Sequence, residues 1–211
     1  MKTKSLIDAL ANSETETPRK AGDTRWALAA LLGLAGALAI LGAFIGPRLD
    51  LGASAGVTFA KAAFSALFAA AGLALTARLA RPGRPAQTRA RMLGAIIVLS
   101  FAAAGIALLG ADPDARMRAW TGGAFPWCLV LIPLLALPAA LALGWVVRAL
   151  APTQLTLTGA AIGAASGGLG AMAYALHCPV DSIAFVATWY ALAIALCAAL
   201  GAIVGARLLR W

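Results

Sequence analysis

Residues 125–147 read FPWCLVLIPLLALPAALALGWVV, 23 positions without one charged side chain. At about 1.5 Å of rise per residue, a helix of that length reaches roughly 34 Å, enough to cross a hydrocarbon core of ~30 Å. The stretch is too long and too uniformly apolar for the alternating strand of about ten residues that a membrane barrel requires.

Working outward, five further stretches have the same character: Trp26–Ile45, Val57–Leu79, Met92–Leu109, Leu155–Leu176 and Ile183–Val204, with Phe125–Val147 the fourth of six. The links between them carry turn and polar signals, such as Gly46-Pro47-Arg48, Arg81-Pro82-Gly83-Arg84-Pro85, Asp112-Pro113-Asp114 and Ala151-Pro152-Thr153. The whole chain is 62% hydrophobic and only 12% charged, whereas a soluble domain carries about one quarter charged residues to solvate its surface. The sequence therefore predicts an all-α polytopic membrane protein, a bundle of six transmembrane helices (residues 26–211) behind a cytoplasmic N-terminal leader (residues 1–25). The first span is long, follows a polar leader of 25 residues and has no Ala-x-Ala cleavage pattern that precedes a soluble mature domain, so it is not read as a cleaved signal peptide.

Lys and Arg set the expected orientation. Thirteen of them fall on the side of the N-terminus, the second and fourth links and the C-terminus, and four (Arg48, Lys61, Arg116, Arg118) on the other. The positive-inside rule places both termini in the cytoplasm. The formal charge of +9 is then a topology signal, and no direct contact with nucleic acid is expected. Trp26, Trp145 and Trp211 fall at the cytoplasmic ends of spans and Trp120 and Trp127 near the opposite face, as an aromatic belt requires. Trp189 and Tyr190 lie deeper and are expected to pack against neighbouring helices.

Small residues mark the helix contacts, because helices in lipid gain little from hydrophobic sequestration and approach closely where side chains are absent. Gly159, Gly163, Gly167 and Ala171 recur every fourth residue in the fifth span, and Gly201 and Gly205 lie in the sixth. These two spans are expected to form a tight antiparallel hairpin. Gly42 and Gly46 at the end of the first span are read in the same way. Gly168-Leu169-Gly170 is not a phosphate loop, since it lies within an apolar span. Pro133 and Pro138 predict a kink in the fourth span, read more readily as fixed packing than as a hinge for signalling. Lys61, five residues into the second span, is expected to snorkel to the interface. No Asp, Glu, His or Arg falls at mid-depth in a span, which argues against a charge-driven transporter or pump.

Two places carry chemistry. On the outer side, Cys128 lies at the start of the fourth span and Cys178 in the link Leu176-His177-Cys178-Pro179-Val180-Asp181-Ser182. The pair reads as a structural disulfide, as a redox or thiophilic-metal sensor with His177 and Asp181 as accessory ligands, or as two unrelated cysteines. Cys197, deep in the last span, reads as a small buried apolar residue. A Cys-x-x-Cys pair is absent and no catalytic residue is assigned. No cofactor is implied. On the inner side, Ser5 and Asp8 have the spacing of a variant capping box. They open a short helix on which Leu6, Ile7 and Leu10 share one face, suited to the membrane surface or to another protein, or else the segment is a frayed tail. Residues 13–19 read as a flexible tether.

The chain resembles the NrsF family of bacterial membrane anti-sigma factors. The resemblance rests on Leu6-Ile7-Asp8-Ala9-Leu10-Ala11, on the six-span plan, and on Cys128 after a Trp. It rests most on Ala173-Tyr174-Ala175-Leu176-His177-Cys178-Pro179 with Asp181-Ser182, Ala184-Phe185-Val186 and Trp189-Tyr190. It implies a negative regulator that holds an extracytoplasmic-function sigma factor at the membrane and releases it on envelope stress from a heavy metal or an oxidant. By this resemblance Leu6, Ile7, Asp8 and Leu10 bind the sigma factor, and Cys128 and Cys178 sense the signal. Family members often begin with two acidic residues where this chain has Lys4-Ser5. A small transporter or channel and a membrane thiol-redox protein are the alternative classes.

Overall fold

The computed structural model describes residues 3, 7, 8, 19–81, 86–123, 126–150 and 152–210. Among them there is no strand, and six helices are long and apolar enough to cross a membrane. The first, α1 (Arg19–Ile40), runs into a π-helical turn at Leu41–Ile45. Then come α2 (Ala55–Leu79), α3 (Gln87–Leu109), a short α4 (Pro113–Thr121), α5 (Trp127–Arg148) and α6 (Leu155–Tyr174). The last, α7 (Ile183–Leu208), contains a second π-helical turn at Val186–Tyr190. The spans agree with the sequence reading to within a turn or so at most ends. Helix α1 begins at Arg19, however, so its first turns are built from leader residues, and α3 begins at Gln87.

Helix α6 is the centre of the bundle and touches α7, α2, α5 and α1. Over its most apolar 18 residues it is 72% buried, against 22% for α1 and 11% for α3. Its composition explains this position. Gly159 and Gly163 put bare backbone against α7 at Gly201, Gly205, Cys197 and Ala198, while Gly168 faces Ala69 of α2 and Gly170 faces Ala136 of α5. The α6–α7 hairpin is thus as tight as the glycine spacing predicts, and Cys197 is a buried packing residue within it.

Three expectations are corrected. Nothing lies within 4 Å of a side chain built on Gly42 or Gly46; the close contacts of α1 are made by Gly33 on Ala139 and Gly36 on Pro138, both in α5. Gly46 serves instead as the turn after α1, with φ +80. The third link is not a bare turn, since Asp112-Pro113 starts the helix α4, with proline in its first turn, where its missing N–H costs nothing. Trp120 does not simply face the interface, because its ring lies 5.3 Å from that of Trp189. Trp127 and Trp145 remain exposed, as belt residues should be. Helix α5 continues through both Pro133 and Pro138.

Candidate functional site

The link 175–182 is shaped by its own residues. The end of α6 winds up through bonds from Ala175 N–H to Ala171 O and from His177 and Cys178 N–H to Tyr174 O. Pro179 cannot donate and halts the helix. Ser182 then starts α7, its Oγ accepting from Phe185 N–H at 3.5 Å. These turns bury Cys178 completely, together with Cys128 of α5, in one cluster with Ile132, Tyr174, Phe185 and Tyr190. Both thiols are free. Helix α4 covers this end. Trp189 Nε1 donates to Trp120 O at 2.7 Å, and Gly122, at φ +57, lets the chain settle on Val180 and Phe185.

The link is held from below by ionic contacts that the sequence reading missed. Lys61 does not snorkel. It is 3% exposed, and its Nζ donates to Cys178 O at 2.8 Å, Val180 O at 3.2 Å and Asp181 Oδ1 at 2.8 Å. Three acceptors match the three N–H donors of the lysine ammonium, so the buried group is fully hydrogen-bonded there. Arg48 grips the same link. Its Nη1 donates to Asp181 Oδ1 at 2.8 Å and to Cys178 O at 3.3 Å, and its Nη2 to Asp181 Oδ2 at 3.2 Å. Its Nε and Nη2 also engage Asp50 at 2.7 and 2.8 Å. Two cations thus face two carboxylates. The sequence signal was available, in a lysine inside an apolar span and an aspartate in a link on the same side.

His177 and Asp181, read as accessory metal ligands, are both engaged. His177 Nδ1 lies 2.8 Å from Gly46 O, so that nitrogen carries the proton and donates. Asp181 is taken by Arg48 and Lys61. Among the described residues no three His, Cys, Asp or Glu side chains gather as a metal site would need. In the leader, Thr3, Ile7 and Asp8 are helical and exposed, while Leu6 and Leu10 lie outside the described residues.

The hydrogen bond from Arg48, and then that from Lys61, holds the Asp181 carboxyl down at about 2, against burial, which acts in the opposite direction. The same contacts raise the Arg48 guanidinium, through Asp50 first and then Asp181. For a carboxylate whose folded value is depressed, the stabilisation is complete above its ordinary value of 3.8 and is lost as pH falls through about 2. Melting temperatures of the detergent-solubilised protein and of Asp181→Asn should therefore differ by a constant amount above about pH 4 and converge toward pH 2. A gap that persists unchanged to pH 2 would contradict this assignment.

The chain is 38% identical over 216 residues to the anti-sigma-F factor NrsF of Caulobacter vibrioides (strain NA1000 / CB15N), with both chains covered completely. It is 33% identical over 213 residues to the probable anti-sigma-F factor NrsF of Azospira oryzae, again over the full length of both. No solved structure matches. The family described as negative regulator of sigma F matches residues 10–211. With the match spanning every helix of the bundle and the Cys128 and Cys178 cluster at its end, the chain belongs to the NrsF family.

Proposed function

We propose that the protein is an inner-membrane anti-sigma factor. Its N-terminal cytoplasmic segment holds an extracytoplasmic-function sigma factor away from RNA polymerase, and it releases that factor when an envelope signal reaches Cys128 and Cys178. The observation that carries the reading is the full-length similarity to an anti-sigma-F factor at 38% identity. Two features support the finer points. The excess of Lys and Arg on the side of the leader supports a cytoplasmic location, where sigma factors act. The two thiols share one buried cluster at the opposite end of the bundle, where the periplasm is oxidising. A leader of 25 residues is too small to bury a hydrophobic core of its own and gains one from its partner. Signal at one end changes partner affinity at the other only insofar as the two states differ in leader geometry.

The test is co-purification from membranes with mass spectrometry of bound proteins. A sigma factor is expected with the wild type and is reduced at least about tenfold in Leu6, Ile7, Leu10→Ala, a loss of ~1.4 kcal/mol or more. Cys128→Ser with Cys178→Ser should retain the partner but fail to release it on treatment with cadmium chloride or with diamide. Diamide takes two electrons and two protons from the thiols as the Sγ–Sγ bond forms, and its azo bond becomes a hydrazine. Absence of a sigma factor from every sample would overturn the reading; release from the double serine variant would remove the cysteines from it.

A further inference from the structure

We propose that Arg48 is the positioning residue that ties α1 to the Cys178 link, so that a change at the two thiols is delivered to the leader by movement of α1. The inference rests on the function proposed above. It starts from where the three residues 46–48 attach. Gly46 O accepts from His177 Nδ1 at 2.8 Å, and Arg48 N–H donates to Leu176 O at 2.9 Å. The Arg48 guanidinium reaches Cys178 O and both oxygens of Asp181. The segment that ends the first span is therefore bonded to positions 176, 177, 178 and 181 of the link, and Cys178 lies among them.

The same helix is seated on the other thiol's helix. Gly33 and Gly36 of α1 lie against Ala139 and Pro138 of α5, and α5 carries Cys128. Drawing the two sulfurs together, by a disulfide or a bridging ion, displaces the link relative to α5. Helix α1 is bonded to the link through residues 46–48 and seated on α5 through Gly33 and Gly36, so it takes up part of the displacement. Lys61 meanwhile fixes the link to α2. Helix α1 is also less enclosed by protein than the central α6, with 22% of its most apolar stretch buried against 72%. The π-helical turn at Leu41–Ile45 sits between the anchor and the rest of the helix, and such turns occur frequently at functional sites. Beyond it α1 runs on to Arg19, delivering motion directly to the residues that precede it.

The experiment uses the full-length protein in membranes with its sigma factor, comparing the wild type, Arg48→Gln, Arg48→Lys and the double serine variant, with cadmium chloride and diamide as probes. Three quantities are read in each: partner retained before the probe, partner released after it, and modification of Cys128 and Cys178 followed by thiol alkylation and mass spectrometry. Arg48→Gln is expected to retain the partner and to have its cysteines modified as in the wild type. Its release should fall at least about fivefold, the lower end of ordinary coupling between sites. Arg48→Lys, which keeps the charge but not the fork, should lie between the two. Should Arg48→Gln fail to accumulate, Arg48→Lys carries the same test. Full release from the Arg48 variants overturns the proposal, as does spontaneous release before the probe, which would make Arg48 a restraint instead of a connection. Loss of cysteine modification together with release also overturns it, by placing Arg48 in reception. Release from the double serine variant, or no release from the wild type with either probe, removes the sensing function and this inference with it.

Discussion

Gly163→Leu is expected to be the most damaging single substitution in the membrane domain, with little folded protein recovered from membranes or a melting temperature lowered by more than about 10 °C. The reason is geometric. A Cβ at Gly163 would overlap the Cys197 carbonyl and come within 2.8 Å of Ala198 Cα, both backbone of α7. Backbone cannot rotate away as a side chain can, so the two helices must separate. Separation breaks the neighbouring contacts of Gly159 with Gly201 and Gly205 as well. Overpacking a core typically costs about 1–3 kcal/mol, and this site lies at the upper end or beyond because no flexible neighbour can yield. The control is Gly105→Leu in α3, where nothing lies within 4 Å and the residue is exposed; it should melt with the wild type. Equal melting temperatures for the two variants would show that the α6–α7 contact is not close.

The second large effect is expected at Lys61. In Lys61→Met the apolar length of the side chain is kept, but Cys178 O, Val180 O and Asp181 each lose a charged donor. Breaking one side of a buried ion pair costs about 3–5 kcal/mol. The Asp181 side chain is 37% exposed and keeps Arg48 as a partner, so the low end of that range applies. At roughly 2–4 °C per kcal/mol, the melting temperature should fall by about 6–12 °C. Combining Lys61→Met with Asp181→Asn should cost less than the sum of the two single changes, because the carboxylate charge left behind by the first is removed by the second. Strict additivity, or a Lys61→Met variant as stable as wild type, would mean the contact contributes nothing. This substitution is distinct from the Arg48 changes in what it reads: Lys61 sets how firmly the link is held to α2, Arg48 whether the link is joined to α1.

Not all of the site was legible in one dimension. Cys128 and Cys178 were read as a pair on one side of the membrane, because each lies at the same end of a span whose length is set by the bilayer. Their burial in a common cluster with Tyr174 and Tyr190 was not readable, since it depends on how α5, α6 and α7 rotate about their axes. The inward placement of Lys61 is hidden in the sequence for a related reason. A lysine near the end of a span has two low-energy choices, the headgroup layer or a polar partner inside. Only knowledge that the 177–182 link folds down over α2 decides between them. Arg48 was counted as an outer-side charge and nothing more, because its partner Asp181 is 133 positions away. The helix α4 was passed over because it is too short and polar to register as a span, although Asp112-Pro113 is an ordinary helix start.

What the sequence determined by itself was the number of spans, their approximate ends, and the tightness of the α6–α7 hairpin. These follow from local rules: a bilayer of fixed thickness demands about 20 apolar residues per crossing, and glycine every fourth residue leaves one helix face bare. The residues that link the thiols to the first span were decided by tertiary structure alone. Each of those contacts joins segments far apart in sequence, and whether an arginine, a lysine and an aspartate meet depends on helix order and rotation, which no local pattern encodes.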